Sequence, residues 1–497
     1  MIRRLALAAL LVPALLAAQS RQEYAARRLT LETKLPDGVL VALGAPEPAH
    51  DYLNFSQAAS FYWLTGFREP DAALVMVKRG GQVISSTMFV NPLQPTREVW
   101  TGHRAGVEGV QEMTGIRGRA SSELWKMLDS MAKRGLPFQM VGAFGTREVE
   151  DDSAPTRISR TADEQLADRL RRRHPSLEIT IVNDAVEQLR GTKSAAEMAN
   201  IRQAIEITAL AHREAMSAVQ AVRNEFELQA LIEYTFRRYG ADRPAFSTIV
   251  GSGANATTLH YTTNDRFFEV NDMIVMDIGA SYRGYAADIT RSVPASGRFS
   301  PSQRDIYQLV RDAQSAAERQ IRVGAPSRLM NDSAEAVLAR GLARLRLIDS
   351  PGATYDCSTG ATPRQCPQFR LFYMHGLGHG IGLEVHDPDQ YTYTATLAPG
   401  SVFTLEPGIY VRERVLEEMP RTPRNQEIAA RLRPAVQYYR NIGIRIEDDY
   451  AVTAQGMVWL SRGAPREIAE IEAQMKVPFT GPSPRDRELV DRYRTAP

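Results

Sequence analysis

Cysteine is the scarcest residue of this chain, with Cys357 and Cys366 as its only two among 497 residues. Two sulfur atoms in a loop without further sulfur or histidine nearby are too few for a structural zinc site, which takes four ligands. In an exported protein the pair is expected to form a disulfide, which would stabilise by about 2.5 to 3 kcal/mol on the chain-entropy model. The alternative is two free thiols.

Net charge and long apolar runs are also nearly absent. The formal net charge is +2, which gives no reason to expect nucleic acid or an anionic membrane surface as a partner. The apolar run Leu5–Leu16 follows Arg3 and Arg4 and precedes small residues that end near Ala18. This order is typical of a secretory signal peptide, and it predicts export to a bacterial periplasm without a membrane span in the mature protein. A retained N-terminal anchor is the alternative.

The length of the chain favours more than one domain. After a signal peptide at 1–18, we predict an N-terminal domain at 21–175, a second domain at 176–475 and a tail at 476–497. The first domain combines strand-like apolar runs with helical spacing from Ser121 to Met131, which indicates a mixed α/β fold. It contains no nucleophile or metal cluster, so we expect it to shape or cover a site elsewhere.

The second domain repeats one order of elements. Helices are predicted to begin near Ser194, Asn224, Ser300 and Ser327, as two pairs, and strand-like sequence follows each pair. This order predicts an α/β domain of two halves, whose strands meet in one curved sheet.

Two aspartates stand in apolar, strand-like sequence. Asp277 and Asp288 flank a glycine- and tyrosine-rich centre, which predicts an antiparallel hairpin with its turn near Tyr282 and Arg283. With that turn the two carboxylates would face each other about 5 Å apart, where like charges repel, so a cation is expected between them. The alternative is two unrelated surface aspartates.

Histidines gather further along the chain, at His375, His379 and His386. A spacing of four would place the first two on one face of a helix as a zinc pair, but glycines at alternate positions from 376 to 382 argue against a helix. We therefore expect an extended or looped segment in which only one of the two is a direct metal ligand.

Glu406 and Glu447 each interrupt apolar strand-like sequence, and a buried carboxylate without a partner is unfavourable. Together with the two aspartates and His379 they offer four carboxylates and one imidazole. Four negative charges balance two divalent ions and leave that pair able to hold a bridging hydroxide. Oxygen-rich ligation favours manganese or cobalt over a thiolate-type zinc site, and two such ions suit hydrolysis.

These motifs together resemble the Xaa-Pro aminopeptidases (aminopeptidase P) of the pita-bread metallopeptidase family. The matching residues are the two aspartates eleven apart and the segments 375–379, 405–408 and 443–449, with 61–72 and 98–102 resembling the N-terminal domain. The resemblance implies an α/β (α+β) fold: an N-terminal creatinase-like domain followed by a pita-bread catalytic domain with a curved, mainly antiparallel sheet.

The resemblance also implies a role for each ligand. Asp288 and Glu447 would bridge two divalent ions, Asp277 would bind one of them, and His379 and Glu406 the other. Glu406 would also accept the proton of the attacking water. The ions implied are Mn²⁺, with Co²⁺ or Zn²⁺ as alternatives.

The same resemblance implies roles for further residues. His260, His375 and His386 would line the pocket, orient the substrate and stabilise the tetrahedral intermediate, although packed structural histidines are the alternative. Arg445 and Tyr410 would hold the carboxylates in place. Trp100 matches a residue that reaches a neighbouring subunit's site in oligomeric relatives, which implies a homo-oligomer.

The implied substrates are peptides with proline in second position. A prolidase-like dipeptidase acting on Xaa-Pro dipeptides would share every metal ligand, and a catalytically silent pita-bread binding protein is the alternative from another class. The chain departs from the family in two places. Gly378 and Gly380 predict a more flexible histidine segment, and the arginine- and glutamate-rich segment 412–440 is a lid, an oligomer contact or a solvated excursion.

Overall fold

The computed structural model describes residues 19–50, 53–142, 161–360, 362, 364–389 and 394–482. The predicted signal peptide at 1–18 and residues 483–497 of the predicted tail lie outside the described residues. Within the described ranges, no helix is both long and apolar enough to cross a membrane.

The first part of the chain forms a six-stranded mixed sheet in the order β4-β3-β2-β1-β5-β6. Its strands are β1 (Gly38–Leu43), β2 (Ala73–Arg79), β3 (Gln82–Val90), β4 (Arg117–Ala120), β5 (Phe138–Val141) and β6 (Ile179–Ile181). The helices around it are α1 (Arg21–Glu32), α2 (Ala59–Thr65), α3 (Pro95–Thr101), α4 (Gly106–Thr114), α5 (Leu124–Lys133), α6 (Ala162–Arg173) and α7 (Asn183–Arg190).

Alternating apolar residues give this sheet two buried faces, because successive side chains of a strand point to opposite sides. In β1, Val39 and Val41 pack in a cluster with residues of α5 and α6. Leu40 and Ala42 pack in the opposite cluster with residues of α1, α2 and α7. The predicted mixed α/β fold of this part is confirmed.

This sheet extends past residue 175, where the sequence placed the domain boundary. Strand β6 pairs parallel with β5, through Phe138 opposite Ile179. Val186 of α7 is buried in the same core as α1 and α2. Residues up to the end of α7 therefore pack with the first sheet.

The second part follows the predicted order of two helices and then strands, twice over. The first half contains α8 (Ala195–Ala218), α9 (Glu225–Arg238), β7 (Arg243–Pro244), β8 (Ile249–Ser252), β9 (Met273–Ile278), β10 (Ala280–Tyr282), β11 (Tyr285–Ala286) and β12 (Ile289–Pro294). The second half contains α10 (Pro301–Glu318), α11 (Arg328–Arg344), β13 (Thr354–Asp356), β14 (Gln365–Pro367), β15 (Val402–Leu405), β16 (Gly408–Tyr410), α12 (Pro423–Tyr439), β17 (Gly443–Arg445), β18 (Asp448–Thr453), β19 (Gly456–Trp459) and α13 (Ile468–Gln474).

The strands of this part form short antiparallel ladders that meet between the halves. The main ladders are ordered β12-β9-β8 and β15-β18-β19, with β16 paired to β17. Ser292 of β12 exchanges hydrogen bonds with the backbone of Arg445, and Glu447 N–H donates to the Thr290 carbonyl at 3.1 Å. These contacts place β12 of the first half against residues 445–447 of the second.

The sequence left two features of the second half open, the state of its two cysteines and the role of the charged segment 412–440. Cys357 and Cys366 form a disulfide next to the β13–β14 ladder. The charged segment 412–440 contains α12, which buries Ile428 and Leu432 in the main core. Its charged side chains pair at the surface, as Arg433 does with Glu417 at 2.7 Å. The segment is thus an amphipathic helix packed on the domain.

Candidate active site

The two aspartates lie on one hairpin, but they do not face each other directly. Asp277 of β9 is opposite Thr290 of β12, so Asp288 is its diagonal neighbour. The predicted register was wrong because the turn lies one residue later, at Arg283 and Gly284, both of which have positive φ. Glycine adopts this conformation readily, and the type of turn it permits suits a two-residue hairpin.

The histidine segment is extended and lies along β15, as expected from its glycines. The Glu406 N–H donates to the Leu377 carbonyl at 2.7 Å, and the Thr404 N–H donates to the His379 carbonyl at 2.8 Å. This pairing brings His379 and Glu406 to the same end of β15. A Cβ on Gly378 would lie 2.0 Å from the Thr404 carbonyl oxygen, so the glycine permits close packing here where the sequence predicted flexibility.

His379 presents an unprotonated nitrogen to the carboxylates. Its Nδ1 lies 3.0 Å from the Gly380 carbonyl, which can only accept, so Nδ1 carries the proton. Its Nε2 lies 3.6 Å from Asp288 Oδ2, 3.6 Å from Glu406 Oε1 and 3.9 Å from Glu447 Oε1. Burial, together with the nearby His386, lowers the pKa of the ring to about 4. A neutral His379 fits a metal ligand whose tautomer is fixed by a backbone carbonyl.

The carboxylates around His379 lack a cation among the described side chains that could balance all of them. Ligand atoms of Asp288, His379 and Glu447 lie within 4.8 Å of one another. Burial raises the pKa of Asp288 and Glu447 well above the ordinary range, and neighbouring carboxylates raise both further. Burial likewise raises the pKa of Glu406 to about 8.

Two buried oxygens strengthen the case for cations at this position. Asp277 Oδ1 and Asp288 Oδ1 have no hydrogen-bond partner, and an unpartnered buried carboxylate oxygen is unfavourable. Hard divalent cations prefer such oxygen ligands. The residues present therefore fit divalent metal ions.

Arg445 and Tyr410 hold the surrounding groups in place. Arg445 donates to Asp277 Oδ2 at 2.5 Å and to the Tyr410 hydroxyl at 2.9 Å. The Tyr410 hydroxyl in turn lies 2.9 Å from His375 Nε2, and His375 Nδ1 lies 2.7 Å from the Gly376 carbonyl. Both ring nitrogens of His375 are engaged by hydrogen bonds, and its Nδ1 also lies 3.7 Å from Glu406 Oε2, whereas Nε2 of His379 faces three carboxylates.

The site opens into a cavity of about 940 Å³. His260, His375 and His386 line it together with the carboxylates, and the rings of His386 and His379 have centroids 4.2 Å apart. Trp100 does not line this cavity and is 77% exposed.

Several polar residues that support the site were not predicted. The Thr290 hydroxyl donates to Glu447 Oε2 at 2.6 Å, and the Asp288 N–H donates to Asp449 Oδ2 at 3.3 Å. Arg291 is fully buried and donates to the Glu447 carbonyl at 2.7 Å. Their positions in the sequence could have indicated these residues, because each one lies two or three residues after a predicted ligand.

Comparison with known proteins agrees with this geometry. The model of metallopeptidase family M24 matches residues 199–454, and the aminopeptidase P N-terminal domain matches residues 24–136. The Xaa-Pro aminopeptidase of Escherichia coli K12 is 32% identical over 467 residues, covering 92% of this chain and 98% of that protein. The Xaa-Pro aminopeptidase of Haemophilus influenzae is 33% identical over 424 residues, covering 85% of this chain and 88% of that protein.

Solved structures give the same result. Zinc-substituted E. coli aminopeptidase P in complex with product superposes with a TM-score of 0.73 at 31% identity, covering 92% of this chain and 99% of that one. Proline aminopeptidase P II from Yersinia pestis gives a TM-score of 0.74 at 31% identity, with the same coverage. The expected fold, a mixed α/β N-terminal domain followed by a pita-bread domain, is thereby confirmed.

Proposed function

Because the chain belongs to metallopeptidase family M24 and carries the N-terminal domain of aminopeptidase P, we propose that it is a metal-dependent aminopeptidase. It hydrolyses the bond between an N-terminal residue and a following proline. The observation that carries the proposal is the unprotonated Nε2 of His379, which faces Asp288, Glu406 and Glu447 inside a cavity large enough for a short peptide.

We assign the five ligands to two divalent ions. Asp288 and Glu447 would serve both ions, Asp277 would serve one, and His379 and Glu406 would serve the other. Asp277 is suited to this, because Oδ1 has no hydrogen-bond partner while Oδ2 is held by Arg445. The oxygen-rich set favours Mn²⁺, with Co²⁺ and Zn²⁺ as alternatives. When bound, such a pair lowers the pKa of a shared water and polarises a carbonyl.

The chain's own residues then move the proton and hold the substrate. Glu406 accepts the proton of the attacking water, because it lines the cavity beside His379. His260 and His386 line the cavity, orient the peptide and hydrogen-bond to the developing oxyanion. His375 has both nitrogens engaged by Tyr410 and Gly376, so we assign it to positioning Tyr410.

Proline after the scissile bond makes a tertiary amide without an N–H group. A peptidase that relies on a hydrogen bond from that N–H binds such a substrate poorly. A site that grips the carbonyl and the free N-terminal amine does not depend on it, and Asp277 or Glu406 would receive the amine.

Substrate length separates this proposal from its nearest rival, a prolidase-like dipeptidase. The protein without residues 1–18 is stripped of metal with EDTA, reloaded with Mn²⁺, and tested on an Xaa-Pro-Xaa tripeptide and an Xaa-Pro dipeptide. We expect cleavage of the tripeptide. Cleavage of the dipeptide alone would support the dipeptidase, and no cleavage despite bound metal would support a catalytically silent binding protein.

We extend the proposal to location and assembly. The charged, apolar and small-residue order of residues 1–18 supports export to the periplasm with cleavage near Ala18. The exposure of Val99 and Trp100 on α3 supports a homo-oligomer in which this helix contacts a second copy.

A further inference from the structure

A loop formed by residues 380–389, hereafter the 380–389 loop, carries His386 into the cavity and directly follows His379. Its two ends are tied together, because the Asp387 N–H donates to the Gly380 carbonyl at 2.9 Å. The loop also contacts the hairpin that carries the aspartates, since the Ala286 N–H donates to the Gly382 carbonyl at 2.7 Å. The position of His386 therefore depends on what holds this loop.

Asp387 anchors the loop through two buried cations. Its Oδ1 lies 2.5 Å from an Arg190 guanidinium nitrogen, and its Oδ2 lies 2.6 Å from Lys193 Nζ. The three side chains are between 2% and 4% exposed. Asp387 Oδ1 also accepts from the Glu384 N–H at 3.0 Å, so the carboxylate binds its own loop as well as the cations.

The cations come from outside the catalytic strands. Arg190 is the last residue of α7, which packs with the first sheet, and its side chain also donates to Ser60 Oγ of α2 at 3.0 Å. Lys193 lies between α7 and α8, where its N–H donates to the Gly400 carbonyl at 2.9 Å. Asp387 thus fixes the loop against the junction between the two parts of the chain.

Gly382 of the loop packs closely against Asp387 and Lys193. A Cβ on Gly382 would lie 2.5 Å from Asp387 Oδ2 and 3.0 Å from the Lys193 side chain. Burial opposes ionisation of Asp387, yet Arg190 and Lys193 hold its pKa below the ordinary range, so the carboxylate is charged. Removal of Asp387, Arg190 or Lys193 would leave the charges of the other two buried without their partner, which destabilises the folded protein.

We propose that Asp387, held by Arg190 and Lys193, is a positioning residue that fixes His386 in the substrate cavity. This inference rests on the proposed function, because it assigns Asp387 to the reaction through a residue that would contact the substrate. Asp387 is not itself a catalytic residue, since its oxygens are engaged by Arg190, Lys193 and the Glu384 N–H.

The test is a double-mutant cycle between Asp387→Asn and His386→Ala in the Mn²⁺-loaded protein, with kcat and KM measured on an Xaa-Pro-Xaa tripeptide. Asp387→Asn is expected to lower kcat about tenfold, as loss of a positioning partner does, with manganese content unchanged. In the His386→Ala background the same substitution should change kcat less than about twofold, because the residue it positions is gone. A merely structural role would not produce this dependence on His386.

Two further variants keep the test decisive. Lys193→Met removes one cation and leaves the Arg190–Asp387 pair, so it should lower kcat in the same direction even where Asp387→Asn fails to fold. Asp356→Asn is the matched control, since Asp356 is a buried, charge-paired aspartate beside the disulfide and outside the cavity.

The inference is overturned if neither Asp387→Asn nor Lys193→Met lowers kcat more than Asp356→Asn does. It is also overturned if the losses are equal with and without His386. Absence of turnover in the wild-type protein would instead overturn the proposed function, which separates the two failures.

Discussion

At the level of single residues, His375 and His379 have the same sequence context and different surroundings. Nε2 of His375 is bound by Tyr410, whereas Nε2 of His379 faces three carboxylates. The sequence predicted that only one of the two is a ligand, because alternate glycines exclude the helix that would align both. It did not predict the hydrogen bond to Tyr410, which joins residues 35 apart.

The metal-free protein is predicted to lose stability as the pH rises from 7 to 9. Burial raises the pKa of Glu406 to about 8 and raises those of Asp288 and Glu447 as well. The folded state then keeps protons that the unfolded chain releases near pH 4, so the free energy of unfolding falls as the pH rises, until the folded state releases them too, at about pH 8 for Glu406 and higher for the other two. His375 and His379 have lowered pKa values, about 3 and 4, and their opposite contribution changes mainly below about pH 6.5.

Urea unfolding in EDTA at pH 7 and pH 9 measures this effect. The unfolding midpoint should be lower at pH 9, and Glu406→Gln should reduce the difference. Added Mn²⁺ should raise the midpoint more at pH 9 than at pH 7, because its ligands must be deprotonated. A midpoint in EDTA that stays constant or rises with pH would refute the assignment of raised carboxyl pKa values.

At the level of elements, the hairpin and the histidine segment differ in how far sequence predicts them. Both strands of the hairpin and its antiparallel pairing followed from apolar sequence around a glycine-rich centre. The register did not, since a turn placed one residue too early moves Asp277 from opposite Thr290 to opposite Asp288. Register depends on the conformation of Arg283 and Gly284, which side-chain patterning leaves open.

The close packing of one glycine in the histidine segment predicts how substitutions there change the free energy of unfolding. Gly378→Ala should lower the free energy of unfolding by ~1–3 kcal/mol, because its Cβ would meet backbone of β15 at 2.0 Å. Gly376→Ala is the control, since nothing lies within 4 Å of its Cβ and its φ is not positive, and it should change stability by less than ~0.5 kcal/mol. Urea unfolding of both variants tests this. Equal stabilities would show that Gly378 is not required for close packing.

At the level of the whole molecule, the sequence predicted two parts and the candidate ligands, and it missed how the parts join. Arg190, Lys193 and Asp387 meet across more than 190 residues of sequence. No local pattern marks such a contact, because each residue reads as an ordinary charged side chain in its own neighbourhood. The place of β6 after residue 175 follows a similar rule, since only its pairing with β5 shows which sheet contains it.

Trp100 provides a prediction about assembly. It is 77% exposed beside Val99, which is 81% exposed, and a second copy of the chain would cover these adjacent apolar side chains. The wild-type protein should elute as an oligomer in size-exclusion chromatography with light scattering, and Trp100→Ala should shift it toward the monomer. Leu29→Ala is the control, as Leu29 is 64% exposed on α1. A monomeric wild-type protein would rule out this role for Trp100.

Anomalous diffraction at the manganese edge, from crystals of the Mn²⁺-loaded protein, tests the proposed dinuclear site most directly. We expect two peaks about 3.5 to 4 Å apart, with Asp288 and Glu447 between them, in protein that cleaves Xaa-Pro-Xaa peptides. Asp288→Ala should lose both peaks and the turnover together. Turnover without metal at this position, or an Asp288→Ala variant that keeps both peaks and full activity, would show that these residues do not hold a catalytic metal pair.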